Sequence, residues 1–284
     1  EFFCMNEFEQ IRQQQKESWN KFSAGWKKWD ELTMSFLKPM GQKIIEFIKP
    51  EGSQTILDIA SGTGEPGLSI ATMLNGGKVI MTDIAENMLA IAKENADARN
   101  ILNVETIVTD VSNLPFDDKS FDSISCRFGF MFFPDMQMAA NEMSRVLKPA
   151  GRIATSVWNI PEKNFWVTAT MGTIKKHIDV PENPSGAPGM FRCCKPRLMK
   201  EIFEKAGFKN IKEEEISSTL HCGTLDRYWS MMTEIGAPVI AALSKADNHL
   251  KEQIKNEVFE MVAQKYAVDN LQLDANAIVI TAEK

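Results

Sequence analysis

Histidine, tyrosine and cysteine are scarce in this chain of 284 residues, which holds three, two and five of them. The histidines (His177, His221, His249) are scattered and no two cysteines form a Cys-x-x-Cys pair, so no metal-ligand spacing is visible and no metal is expected. The cysteines (Cys4, Cys126, Cys193, Cys194, Cys222) are odd in number and sparse, which argues for reduced thiols rather than a disulfide framework. No apolar run approaches the roughly 20 residues that span a bilayer, and the acidic start lacks the charged-then-apolar layout of a signal peptide. Lysine and arginine (32) are outnumbered by aspartate and glutamate (38), and the net charge of -6 disfavours broad attraction to nucleic-acid phosphates. The expectation is a cytoplasmic protein with a small-molecule partner, no nucleic acid and no membrane span, as a monomer or a homodimer. Glu1 to Cys4, ahead of Met5, are given no functional weight.

What is present is a core-forming chain, 44% hydrophobic. From Thr55 onward short β-branched runs alternate with helical patterns, the sign of an α/β fold with a largely parallel sheet. Strands are predicted at 55–59, 78–83, 104–108, 121–127 and 152–158, with helices near 67–74, 85–98 and 136–147 between them. Lys148-Pro149-Ala150-Gly151 is expected to stop the third helix and turn the chain into the next strand. Leu37, Met40, Ile44, Ile45 and Ile48 mark an earlier amphipathic helix that should cover one sheet face. Trp19, Phe22, Trp26 and Trp29 recur at helical intervals and concentrate three of six tryptophans in one segment. Later come a Pro/Gly-rich loop at 181–189, a helix at 195–206, a strand at 208–216, a helix marked by Leu250, Ile254, Val258, Met261 and Val262, and a last strand at 277–281.

The strongest motif is Asp58-Ile59-Ala60-Ser61-Gly62-Thr63-Gly64-Glu65-Pro66-Gly67, where a strand ends in a glycine turn that opens a helix. Glycines there admit positive φ and close approach of a ligand, and helix-opening amides bind anions. Gly62-x-Gly64-x-x-Gly67 by itself fits a dinucleotide fingerprint, and Asp83 lies 21 residues beyond Gly62, near where a ribose-binding acid is expected. Two residues tilt the reading. Asp58, just ahead of the loop, would repel a pyrophosphate but complements a cation such as an aminoacyl sulfonium. Pro66 removes an amide donor that a phosphate site would use.

The segment resembles motif I of class I S-adenosylmethionine-dependent methyltransferases, with Ala60 where that family's first glycine stands. Asp83-Ile84-Ala85-Glu86-Asn87-Met88, Thr109-Asp110-Val111, Phe121 to Gly129 and Glu142 to Gly151 follow in the order of that family, especially its ubiquinone/menaquinone-biosynthesis-like branch. The resemblance implies a seven-stranded Rossmann-like sheet, mostly parallel with the last strand antiparallel, plus helical additions at both ends. It also implies S-adenosyl-L-methionine as cofactor and S-adenosyl-L-homocysteine as product. In that reading Asp58, Ala60, Ser61, Gly62, Thr63, Gly64 and Arg127 meet the cofactor's amino-acid end. Asp83 binds the ribose hydroxyls; Ile84 and Met88 pack on adenine; Asp110 and the Val111 amide recognise its edge.

The acceptor should meet the cofactor at the carboxyl ends of the strands, near Phe128, Phe132 and Trp158, with Trp19, Phe22 and Trp26 as lid candidates. Their aromatic character suggests a hydrophobic or aromatic acceptor. Methyl transfer is a displacement that needs alignment more than acid or base, so a catalytic residue need not exist; His221 and Arg127 are the candidates if one does. Adjacent Cys193-Cys194, with Cys222, raise thiol-based arsenite methylation as a lesser option. The expected organisation is a lid at 1–36, a cofactor-binding core at 37–158, a continuation with insert at 159–216, a helical acceptor cap at 217–270 and a final core strand at 271–284. An NAD(P)-dependent oxidoreductase and a non-catalytic cofactor-binding module are the alternatives.

Overall fold

The computed structural model describes residues 7–182, 184 and 186–284. Glu1 to Cys4 and part of the expected 181–189 loop lie outside the described residues. Seven strands form one sheet in the order β3-β2-β1-β4-β5-β7-β6. They are β1 (Thr55–Ile59), β2 (Lys78–Asp83), β3 (Val104–Val108), β4 (Phe121–Arg127), β5 (Leu147–Trp158), β6 (Lys209–Gly223) and β7 (Leu271–Glu283). The first five pair in parallel, and β7 runs antiparallel to both β5 and β6. Central β1 is buried on both faces, which is why it reads as an apolar run interrupted only by Asp58. The strand order reverses between β1 and β4, and ligands of open α/β sheets gather at the carboxyl ends beside such a switch.

The helices before β1 are α1 (Glu7–Lys28) and α2 (Asp30–Ile48); after it come α3 (Gly67–Ala71), α4 (Glu86–Ala98) and α5 (Met136–Val146). Leu32, Phe36, Leu37, Met40, Ile44 and Ile48 of α2 are buried, so the helix covers the sheet as its apolar stripe predicts, beginning seven residues earlier than Leu37. Trp29 falls in the break between α1 and α2, buried and donating to Glu234 (2.9 Å), so the four-aromatic stripe is not one helix face. In α5 the Asp135 side chain caps Met138 N at 2.9 Å, while Ala139, Ala140, Met143 and Val146 are buried.

The expected turn at Lys148 to Gly151 is an irregularity inside a longer β5: Phe121 pairs with Leu147 and Ser123 already with Arg152, with Ala150 at φ 61°. Strands β6 and β7 also outrun their predicted limits, pairing from Lys209 opposite Glu283 to Gly223 opposite Leu271. Ser218, Leu220 and Cys222 are buried with period two, as are Leu271, Leu273 and Ala275 on the partner strand. Residues 217–223 are therefore strand, and the helical insert starts only after Gly223. It comprises α8 (Leu225–Ile235), α9 (Ala237–Leu243) and α10 (Asn248–Ala263); α6 (Phe165–His177) and α7 (Leu198–Lys205) precede β6. Buried Asn164 ties α6 to the sheet: its Nδ2 donates to Asn276 O (2.9 Å) and its Oδ1 accepts from Asn276 N (3.1 Å).

Candidate active site

A cavity of about 760 Å³ opens above the carboxyl ends of β1, β2, β4 and β5. Its floor is the glycine loop, lined by Ala60, Ser61, Gly62 and Thr63. Ala60 (φ 54°) and Gly62 (φ 53°) both adopt left-handed backbone, so Ala60 carries the strain that a glycine avoids. Gly64 (φ 114°) faces away from the cavity lining and lies against Leu68, where a Cβ would come within 2.7 Å of Leu68 Cδ1. Behind the loop Asp58 is fully buried. Its Oδ1 accepts from Ser125 Oγ at 2.5 Å and its Oδ2 has no partner. Burial pushes its carboxyl up to about 7, against the opposing pull of the Ser125 and Ser61 hydroxyls and the Arg127 charge.

At the end of β2, Asp83 accepts from Gly62 N (3.0 Å) and Ala85 N (2.9 Å), tying the loop to the start of α4. Burial raises its carboxyl above the ordinary range. Ile84, Met88, Asp110 and Val111 complete this end of the cavity. Asp110 accepts from Ser112 N at 3.0 Å and forms an ion pair with Arg12 of α1. Arg127 leaves β4 as a half-buried guanidinium on the cavity wall, and desolvation shifts it below the ordinary arginine range. Its Nη2 lies 3.0 Å from the Met34 sulfur, a weak acceptor, and its Nη1 3.5 Å from Leu37 O.

The other end is aromatic. Phe128 stacks on Trp158 (4.4 Å), which meets Phe36 (5.7 Å) and Trp166 (5.3 Å). Trp19 meets Phe132 edge-on (5.2 Å) and Trp26 at 5.9 Å. Phe22, Met171, Met231 and Met232 also line the space. Over it runs α1, in which only Ser23 is buried among the helix residues. Arg12, Gln15, Trp19, Phe22 and Trp26 all face the cavity, recurring at intervals of three and four. The tryptophans pointed to this stripe; Arg12 and Gln15 share its spacing but were missed because polar residues leave no hydrophobic signal.

His221 sits apart, exposed on β6 opposite Gln272 and outside the cavity lining. Cys193 and Cys222 are buried, their thiols pushed up to about 12, and neither lines the cavity. Among the described residues no group of three His, Cys, Asp or Glu is placed to hold a metal ion, and no helix is long and apolar enough to cross a membrane.

Residues 20–166, which contain the whole glycine-loop floor and both strand-end carboxylates, match the family model described as the ubiE/COQ5 methyltransferase family. The chain belongs to that family. It is an S-adenosyl-L-methionine-dependent methyltransferase, so the nicotinamide reading of the glycine motif gives way to the one that Asp58 favoured. A demethylmenaquinone methyltransferase of Thermus thermophilus is 36% identical over 122 residues, 43% of this chain and 55% of that protein. One from Listeria monocytogenes is 30% identical over 187 residues, 60% of this chain and 76% of that protein. In fold the ubiE/COQ5 member is similar to the YcgJ protein of Bacillus subtilis, with TM-score 0.57 and 20% identity over 86% of this chain and 97% of that one. It is also similar to phosphoethanolamine N-methyltransferase 2 of Haemonchus contortus solved with S-adenosyl-L-methionine, with TM-score 0.52 and 20% identity over 86% of this chain and 52% of that one.

The cavity's polar lining fits this cofactor: it runs from a loop with left-handed residues to the carboxylates of Asp83 and Asp110, while Asp58 stays buried behind the loop with its unpartnered oxygen beside Gly67.

Proposed function

We propose that this enzyme methylates a small, hydrophobic aromatic acceptor of hydroquinone type, the reduced form that supplies the attacking electron pair and loses a proton, held in the aromatic half of the cavity. The observation that carries the reading is the continuity of one cavity from the glycine loop to the Phe128/Trp158 and Trp19/Phe132 pairs. The names of the relatives support the quinone class. In this reading residues 60–63 hold the cationic amino-acid end of the cofactor, Asp58 attracts it from behind the loop, and Arg127 pairs with its carboxylate; Gly64 serves the turn rather than the contact. Asp83 accepts from the ribose hydroxyls, while Ile84, Met88, Asp110 and Val111 form the adenine pocket. The cofactor supplies an electrophilic methyl on a sulfonium.

The chain's own part is alignment and exclusion of water. The lining carboxylates are already engaged: Glu65 by Arg99 (2.5 Å), Asp83 by two amides, Asp110 by Arg12. No histidine lines the cavity among the described residues, so orientation rather than proton transfer is the source of catalysis. Helix α1 serves as the lid. Beside the Trp19 contact with Phe132 and the Arg12 pair with Asp110 inside the cavity, its outer fastenings are polar: Asn20 to Asn87 N (3.0 Å), Lys27 to Glu94 and Lys28 to Glu234 (2.7 Å). Exposed pairs of this kind contribute no more than about 1 kcal/mol each and release readily. The test is transfer of labelled methyl to 1,4-naphthalenediol and to phosphoethanolamine. Transfer to the diol is expected; transfer confined to the amine sinks the proposal.

A further inference from the structure

The lid helix changes character along its cavity-facing stripe. Trp19, Phe22 and Trp26 belong to the aromatic half, whereas Arg12 reaches Asp110 at the other end. Arg12 and Trp26 are 14 residues apart on the same face, about 21 Å at the helical rise, so one helix covers both halves of the cavity. The carboxyl end of α1 is pinned to α8. A Cβ on Gly25 would meet Glu234 O at 2.5 Å, and the Glu234 side chain accepts from Lys28 (2.7 Å) and from Trp29 (2.9 Å) just beyond the helix. Arg12 lies at the end remote from that anchor, and among the described residues it is the only charged side chain by which α1 lines the cavity.

The contact with Asp110 uses only part of either group. The Arg12 Nε is shielded from water and sits in ion-pair contact with Asp110 Oδ2, without an aligned hydrogen bond. Neither Nη group is bonded to another described residue, so both are left to solvent or to a ligand. Asp110 Oδ1 accepts from Ser112 N (3.0 Å), and a carboxylate offers about four acceptor positions, so room for a further donor remains. The pair thus places a planar, half-buried cation beside an acid that can still accept. Guanidinium planes stack on aromatic rings, and more strongly as they lose water. We propose that Arg12 is a cofactor-binding residue: as adenine donates its amine to Asp110, the Arg12 guanidinium covers the ring and fastens the lid over it. The inference rests on the adenine-pocket reading above.

The test measures S-adenosyl-L-homocysteine binding to the full chain by calorimetry, with Arg12→Ala, Arg12→Lys and Asp110→Asn as variants. Arg12→Ala is expected to weaken binding about tenfold, and Arg12→Lys, which keeps the charge without the plane, to recover only part of the loss. Hydrogen exchange at saturating ligand separates a cofactor contact from a merely structural ion pair. In the wild type the ligand should slow exchange at residues 8–16 and at residues 60–64; in Arg12→Ala the slowing at 60–64 should persist and that at 8–16 should be lost. Unchanged or tighter binding in Arg12→Ala overturns the assignment. So does full recovery in Arg12→Lys, which reduces Arg12 to a counter-charge, or slowing at 8–16 that survives in Arg12→Ala. If a variant does not fold, the wild type still decides, since protection at 60–64 with none at 8–16 rejects the contact. A loss of affinity in Asp110→Asn with none in Arg12→Ala sinks this inference alone. Unchanged affinity in Asp110→Asn removes the adenine-pocket reading and this inference with it.

Discussion

Asp58→Asn isolates the electrostatic argument on which the cofactor site rests. Asp58 is fully buried, with one carboxylate oxygen on Ser125 and the other unpartnered, and its carboxyl rises from 3.8 to about 7 through desolvation. A carboxyl whose folded pKa is raised contributes stability that is complete below the unfolded pKa and lost as pH climbs through the folded one. The window therefore runs from about pH 4 to pH 7, and a shift of about 3 units at 1.36 kcal/mol each amounts to about 4 kcal/mol. Asparagine does not titrate. Urea unfolding without ligand, from pH 4.5 to pH 8, should show the wild type losing several kcal/mol relative to Asp58→Asn as pH rises. A cationic ligand reverses the preference by favouring the ionised carboxylate. Wild-type affinity for S-adenosyl-L-methionine should thus fall up to tenfold per unit below pH 7, with proton release on binding, while the variant's affinity stays flat. Parallel stability curves for the two proteins, together with a pH-independent wild-type affinity, would refute the reasoning.

Asp83→Ala should weaken S-adenosyl-L-homocysteine binding by at least about tenfold in calorimetry, because charge-assisted hydrogen bonds are removed; unchanged affinity in a folded variant counts against the ribose role. Ala60→Gly should stabilise the protein by about 0.5–1 kcal/mol in urea melts, since relief of left-handed strain at φ 54° exceeds the extra chain entropy of glycine. Amide exchange in residues 15–28 should be faster than in β1 and slow on addition of S-adenosyl-L-homocysteine; protection equal to that of β1 without ligand rejects the lid.

The sequence by itself determined the parallel half of the sheet and the floor of the site. Strands β1, β2 and β4 are short runs whose apolar character follows from burial, edge strand β3 keeps only its β-branched residues, and the turns that bracket them carry their own glycine, proline and aspartate signals. The glycine loop, Asp83 and Asp110 were legible for the same reason: local backbone chemistry and short spacing put them where they are. Tertiary structure decided the rest. The true lengths of β6 and β7 depend on each strand finding the other, a pairing between segments some 50 residues apart that no local window contains. Trp29 shares the spacing of its neighbours, yet the break after Lys28 and the carboxylate of Glu234 move it out of the stripe. His221 reads as a base beyond a strand end, but the longer β6 holds it on the outer surface. Arg12 becomes a site residue only because α1 folds back over β3's end to meet Asp110. Short-range stereochemistry writes its demands into adjacent residues, whereas the partner of a distant side chain is chosen only when the chain closes on itself.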